Sequence, residues 1–258
     1  VSLHIYIPTF RRCYEQITFG DLPKSWHSRT TFVVDEQDAK ILQSRYSKTE
    51  VNFWVHPPEI TTIAKKRAWM IENTPHEKIV MFDDDLRFYI RREDNPDRLR
   101  YTKEEDLEEA FDELDSVLNM VVHAGLSARQ GNNHQDGVWI DNARMMYCLG
   151  YRVDVVRRVC ELGRIEHRED MDYTLQLLRA GYPNRVNFRL AVGQKAYNAK
   201  GGASVERTME ASNADAHKLA ELHPGLVKVV QKKYKQSIRR EEVICYWKKA
   251  AKEGGCLV

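Results

Sequence analysis

The stretch Lys78-Ile79-Val80-Met81-Phe82-Asp83-Asp84-Asp85-Leu86 decides how the rest of the chain is read. Five residues of apolar, β-compatible character run straight into three carboxylates, which is how a buried strand ends at a polar edge. Three preceding runs repeat the pattern. Leu3-His4-Ile5-Tyr6-Ile7 stops at Pro8, Thr31-Phe32-Val33-Val34 at Asp35, and Val51-Asn52-Phe53-Trp54-Val55 at His56-Pro57-Pro58. Between the third and fourth strands, Thr62 to Ile71 places Ile63, Arg67/Ala68 and Met70/Ile71 at helical spacing and stops at Asn73-Thr74-Pro75, a crossover helix. Strands alternating with helical segments predict an α/β fold with a mostly parallel twisted sheet flanked by helices.

Further along, Thr102-Lys103-Glu104-Glu105 reads as a capping box opening a long amphipathic helix on Leu107, Phe111, Leu114, Leu118 and Val121/Val122. Its acids, at 104, 105, 106, 108, 109, 112, 113 and 115, form a solvated face and receive no chemistry. Gly125 to Gly137 reads as a polar loop, followed by strand through Val138-Trp139-Ile140 and Met145 to Cys148. Helices are expected over Asp154 to Leu162 and Glu169 to Ala180, a strand over Val186 to Val192, helix from Asn213 to Tyr234 broken at His223-Pro224-Gly225, and a strand from Glu242 to Trp247. With neither repeats nor a low-complexity linker, residues 1–258 are read as one domain: a nucleotide-binding half at about 1–100 and a catalytic, acceptor-binding half at about 101–258.

The 258 residues are 42% hydrophobic and 30% charged, with no apolar run able to span a bilayer. The start Val1-Ser2-Leu3-His4-Ile5 shows no basic region leading into an apolar one, so a cytoplasmic location and no membrane partner are expected. Five scattered cysteines without a C-x-x-C pair are expected to be free thiols. The net charge of +2 does not demand a nucleic-acid partner, but Lys228, Lys232, Lys233, Lys235, Arg239, Arg240, Lys248, Lys249 and Lys252 make the C-terminal segment basic.

Adjacent carboxylates repel, so Asp83, Asp84 and Asp85 call for a positive partner. If the strand's alternation continues, Asp83 and Asp85 converge on one divalent cation, or on a cation and a ribose, while Asp84 points elsewhere. Mg2+ and similar hard ions take one or two carboxylates plus substrate phosphates. The same edge of the sheet holds Pro8, Thr9, Arg11 and Asp35, and Lys65, Lys66 and Arg67 on the crossover helix are suited to a diphosphate. Glu169-Asp170 stands at the start of a helix, where an acid either caps or does chemistry.

The order of these parts resembles glycosyltransferases of the GT-A fold. The segments Asp170 to Asn184, Gly201-Gly202-Ala203-Ser204 and His223-Pro224-Gly225 resemble the TET/JBP-associated group found with phage DNA modification. The resemblance implies a GT-A-like (Rossmann-like) domain with a C-terminal helical, basic extension. It implies a metal-dependent enzyme using Mn2+ or Mg2+ and a nucleotide-sugar donor, UDP-glucose foremost. The acceptor it implies is 5-hydroxymethylcytosine in phage DNA, modified in the host cytoplasm, with no obligate protein partner. Donor contacts then fall to Pro8, Thr9, Arg11, Asp35, Lys65, Arg67, Asp83 and Asp84, the metal to Asp83 and Asp85, and the acceptor to His134, Trp139, Gly201, Gly202, Ser204 and Arg207. For an inverting reaction Asp170 is the general base, with Glu169 second; a retaining one places this carboxylate differently. A late metal-binding histidine, frequent in the fold, has only His217 or His223 to supply it. Two alternatives stand beside this reading: a nucleotidyltransferase on a similar sheet, and a non-catalytic nucleic-acid-binding module.

Overall fold

The computed structural model describes residues 2–132, 137–194, 208–233 and 239–256, with the backbone alone at 232, 233, 239 and 240. In chain order the strands are β1 (His4–Pro8), β2 (Thr30–Val34), β3 (Asn52–Val55), β4 (Lys78–Phe82), β5 (Leu86–Arg91), β6 (Leu99–Tyr101), β7 (His123–Ala128), β8 (Trp139–Asp141), β9 (Cys148–Arg152), β10 (Asn184–Gln194), β11 (Val227–Lys233) and β12 (Arg239–Cys245). The helices are α1 (Ile17–Asp21), α2 (Glu36–Arg45), α3 (Ile63–Asn73), α4 (Glu104–Val117), α5 (Val153–Val159), α6 (Glu169–Arg179), α7 (Met209–Leu222) and α8 (Trp247–Glu253).

Among the described residues, ten strands form one sheet in the order β3-β2-β1-β4-β9-β7-β10-β5-β6, with β8 paired to β10. Strands β1 to β4 are mutually parallel, as their crossover helices require. Strand β9 then runs antiparallel to β4 and β7, and β10 runs parallel to β7 but antiparallel to β5. The sheet is therefore mixed, with its parallel part in the N-terminal half. Ile5, Val80 and Phe82 pack on one face with Leu107, Phe111 and Leu114 of α4. Tyr6, Ile79 and Met81 pack on the other with Met70 of α3, Val156 of α5 and Tyr173 of α6. Cover on both faces is why these strands read as unbroken apolar runs.

Four expectations are corrected. His123–Ala128, whose residues from Gly125 on fall inside the expected loop, is a buried central strand. Gly125 fits there because a Cβ would stand 2.3 Å from the Cys148 carbonyl oxygen. The strand expected from Met145 starts only at Cys148, after Tyr147 takes a left-handed conformation (φ 67°). α4 is capped one residue later than expected, with the Asp106 carboxylate accepting the Lys103 N–H at 2.7 Å, and it ends at Val117. Helix does not resume after His223; Val227–Lys233 pairs with Arg239–Cys245 as an antiparallel hairpin and α8 comes next.

The C-terminal extension packs on α6. Met171, Leu175 and Leu178 of α6 share a core with Leu219, Leu226 and Ala250. The approach is closest at Gly254, where a Cβ would lie 2.0 Å from the Leu178 carbonyl oxygen, a backbone that cannot yield as a side chain would. Gly254→Ala is expected to destabilise the protein by about 1–3 kcal/mol through overpacking. Differential scanning calorimetry should then show a Tm lowered by roughly 2–4 °C for each kcal/mol.

Candidate functional site

The carboxyl ends of β1, β2 and β4 lie side by side, and the loops leaving these strands meet at one edge of the sheet. After β1, the Thr9 N–H extends the pairing to the Val33 carbonyl at 3.1 Å. Arg11 is left-handed (φ 56°), its N–H donating to Asp38 at 2.7 Å and its guanidinium lying 3.2 Å from both Asp35 and Asp38. Asp35 ends β2 and caps α2 by accepting the Asp38 N–H at 2.8 Å. From α3, buried Lys66 donates to the Thr9 carbonyl at 2.8 Å, whereas Lys65 is exposed. Pro8, Thr9, Arg11 and Asp35 thus share one edge, tied to α3 through the buried Lys66.

The acids after β4 form a turn rather than a continued strand. Alternation therefore lapses, and Asp84, which it would turn away, joins Asp85 on Arg12 Nη1 at 2.9 and 2.7 Å. Gln194, at the end of β10, donates to Asp85 Oδ1 at 3.3 Å. Asp83 takes a different cation, Arg67 Nη2 at 2.6 Å. Thr18 of α1 braces the turn, its hydroxyl donating to the Asp83 carbonyl and accepting the Leu86 N–H, while its own N–H donates to the Asp84 carbonyl.

The other Arg67 nitrogen, Nη1, lies 2.5 Å from Glu169 Oε1. A single buried guanidinium thereby joins the acid turn after β4 to the first residue of α6. Glu169 is buried, whereas Asp170 is only partly so and accepts the Met171 N–H at 2.8 Å. Burial pushes Glu169 up to about 7, against the pull of Arg67. Burial likewise raises Asp84 to about 7 despite Arg12, and raises Asp83, with repulsion from Asp85 and Asp170 adding to it. Burial opposes the charge on Arg67, but Glu169 and Asp83 outweigh it and hold the arginine protonated.

Hard oxygen donors that are buried and mutually repelled suit a divalent cation. Among the described residues no three His, Cys, Asp or Glu side chains stand together as a full ligand set. Mg2+ needs no such set, because phosphates complete its shell. Neither late histidine pairs with the acid turn: His217 meets Glu241 at 2.8 Å, and fully buried His223 meets Asp172 at 2.7 Å. Trp139 pairs in register with Asn187, near the opposite end of β10 from Gln194. His134, Gly201, Gly202, Ser204 and Arg207 lie outside the described residues. Sequence reasoning assigned no role to Arg12, Thr18 or Gln194. Arg12 lies within the motif after β1, but Thr18 sits in a short apolar helix, and Gln194 meets Asp85 only through the pairing of β10 with β5.

In three-dimensional comparison the chain matches the S. aureus TarS fragment 1–349 in complex with UDP-GlcNAc at 14% identity and a TM-score of 0.53, covering 85% of this chain and 67% of that one. A second structure of TarS 1–349 gives a TM-score of 0.51 at 14% identity over 85% of this chain and 66% of that one. A mannosyltransferase from Pyrobaculum calidifontis in complex with GDP-Man and Mn2+ gives 0.50 at 10% identity over 70% of this chain and 53% of that one. The chain thus spans about two thirds of the TarS fragments and about half of the mannosyltransferase. These likenesses define the fold as that of GT-A glycosyltransferases. No curated protein sequence matches the chain. Residues 3–202 match the family described as TET-Associated Glycosyltransferase, and the chain belongs to that family.

The raised carboxyls have a consequence for stability. Asp84 and Glu169 bind protons more readily folded than unfolded, so their contribution is fullest below about 4 and is lost as pH rises through about 7. Without added cation, stability measured by urea unfolding is expected to fall as pH rises from 5 to 7.5. Asp84→Asn should flatten that dependence.

Proposed function

We propose that this protein transfers a sugar from a nucleoside diphosphate donor, UDP-glucose foremost, to the hydroxymethyl group of 5-hydroxymethylcytosine in DNA. One observation carries the reading: Arg67 joins the acid turn after β4 to Glu169 at the start of α6, so a donor site and a catalytic acid pair share one centre. The family supports sugar transfer, and the TarS complex with UDP-GlcNAc and the mannosyltransferase complex with GDP-Man and Mn2+ support a nucleotide-sugar donor and a divalent cation.

Asp83 and Asp85 are the residues to hold Mn2+ or Mg2+, and the bound ion supplies positive charge against the departing diphosphate. Pro8, Thr9, Arg11 and Asp35 border the nucleotide. Lys65, exposed on α3, is free to meet phosphate, while Arg67 holds Asp83 and Glu169 in place. The acceptor hydroxyl forms a new bond to the anomeric carbon as the bond to the diphosphate breaks, and its proton passes to a carboxylate. Asp170 suits that task better than Glu169, which is buried against Arg67. DNA phosphates are answered by the basic C-terminal segment, through charge neutralisation by Lys and Arg.

Purified protein, Mn2+ and UDP-glucose with hydroxymethylated duplex DNA should yield glucosylated DNA, read by mass spectrometry of the digested nucleosides. Asp170→Asn should leave donor binding intact and lower transfer by about 10²–10⁴-fold. Asp85→Asn should weaken cation-dependent donor binding by about 10-fold or more in calorimetric titration. Inactivity of the wild-type chain with a full panel of nucleotide sugars and hydroxymethylated DNA would sink the proposal.

A further inference from the structure

We infer that the C-terminal extension, which lies beyond the family-matched residues 3–202, is a positioning element of the reaction centre, with His223 and Asp215 as its positioning residues. The inference rests on the reading of Glu169 and Asp170 as the catalytic acids. It concerns what fixes the turn that carries them.

That turn is gripped from two sides. On the sheet side, Arg67 holds Glu169, and His123 of β7 stands 3.0 Å from the Thr174 hydroxyl, which itself donates to the Asp170 carbonyl at 2.8 Å. Burial lowers His123 to about 4, so it makes this contact as a neutral imidazole at ordinary pH. These contacts all lie within the matched residues. Of the matched residues, Arg164 reaches the outer side of α6, at Asp172.

The extension secures it through three successive attachments. Asp172, two residues past Asp170 and fully buried, receives Arg164 on both oxygens at 2.9 and 2.7 Å and His223 Nε2 at 2.7 Å. Despite burial its carboxyl is held below the ordinary range by His223 and Arg164, so it stays ionised in the clamp. His167 places both its N–H and its Nδ1 on Asp215 Oδ2, at 2.7 and 2.8 Å. Arg168 donates to the carbonyls of Glu241 at 3.1 Å and Ser212 at 3.4 Å.

Arg168 also carries the clearest backbone signature. It occupies the N-cap of α6 at φ 81°, a left-handed conformation that a bulky side chain adopts only under constraint. The residue directly before the acid pair is thus held in a sparsely populated state by carbonyls of α7 and β12. A misplacement of about 1 Å at a reacting group is enough to cost about 100-fold in rate. An attachment that fixes this cap therefore acts on turnover before it acts on donor binding, whose residues lie on the other side of Arg67.

The test uses the full chain with UDP-glucose, Mn2+ and hydroxymethylated duplex DNA, alongside hydrogen–deuterium exchange of the peptide covering 165–175. Asp215→Ala and His223→Ala should lower kcat by about 10-fold or more while the donor KM changes by less than about 2-fold. Exchange at 165–175 should rise while that of 78–86 stays unchanged. Asp215→Asn, which still accepts the His167 N–H, should restore most of kcat. If His223→Ala does not fold, Asp215→Ala, which opens no deep cavity, decides the matter. Wild-type kcat in folded Asp215→Ala, unaltered exchange at 165–175, or equal loss of kcat and donor affinity overturns the inference. Asp170→Asn in the same assay separates the two ideas. Retained transfer there removes the base assignment and this inference with it, whereas an inactive Asp170→Asn beside a fully active Asp215→Ala removes the positioning role alone.

Discussion

One buried guanidinium governs the geometry of this protein's site. Arg67 reaches Asp83 with one nitrogen and Glu169 with another, and each partner belongs to a different part of the chain. Taking three charges out of water is costly, and well-packed apolar residues of similar volume often do as well or better for stability. Folding alone therefore gives little reason to keep such a trio. Breaking it by removing one member is another matter, at about 3–5 kcal/mol, because the remaining charges stay buried without an answer. The arrangement makes sense as a spacer that fixes two sets of acids relative to each other and cannot drift without destabilising the fold.

Much of the architecture is legible in the sequence because the N-terminal strands are covered on both faces. Lys78–Phe82 reads with its observed bounds, since an apolar run ending in charge leaves little freedom for where the strand stops. The second half is harder for physical reasons. His123–Ala128 contains Gly125 and small residues, a composition that signals a loop, yet the carbonyl of Cys148 presses so close that only a glycine fits. Val227–Lys233 reads as helix because its valines and lysines satisfy helical spacing nearly as well as alternation. The pairing with Arg239–Cys245 decides between them, and the spacing within Val227–Lys233 alone does not reveal it.

The site is legible in its acids and less so in its cations. Asp83 to Asp85 and Glu169-Asp170 stand out because such clusters are awkward without a purpose. Their answering groups are not apparent from local sequence: Arg12 belongs to a loop 72 residues before Asp84, and Arg67 lies 102 residues from Glu169. The expectation that Asp84 faces away from Asp85 fails because the strand ends at Phe82 and the acids turn, so that both meet Arg12. His223, considered for a metal, has its ring fully engaged by Asp172, Arg164 and Arg179, a role for which a histidine beside Pro224-Gly225 gives no sign.

Thr18 gives the acid turn a further property. Its single hydroxyl spans the turn from the Asp83 carbonyl to the Leu86 N–H, and its own amide holds the Asp84 carbonyl, so three backbone positions of the turn are riveted to the short helix beyond the first loop. That loop also supplies Arg12 to Asp84 and Asp85. The loop after β1 and the acid turn after β4 therefore make up one mechanical body. Any shift imposed on the loop after β1 is handed to the aspartates through Thr18 and Arg12 together.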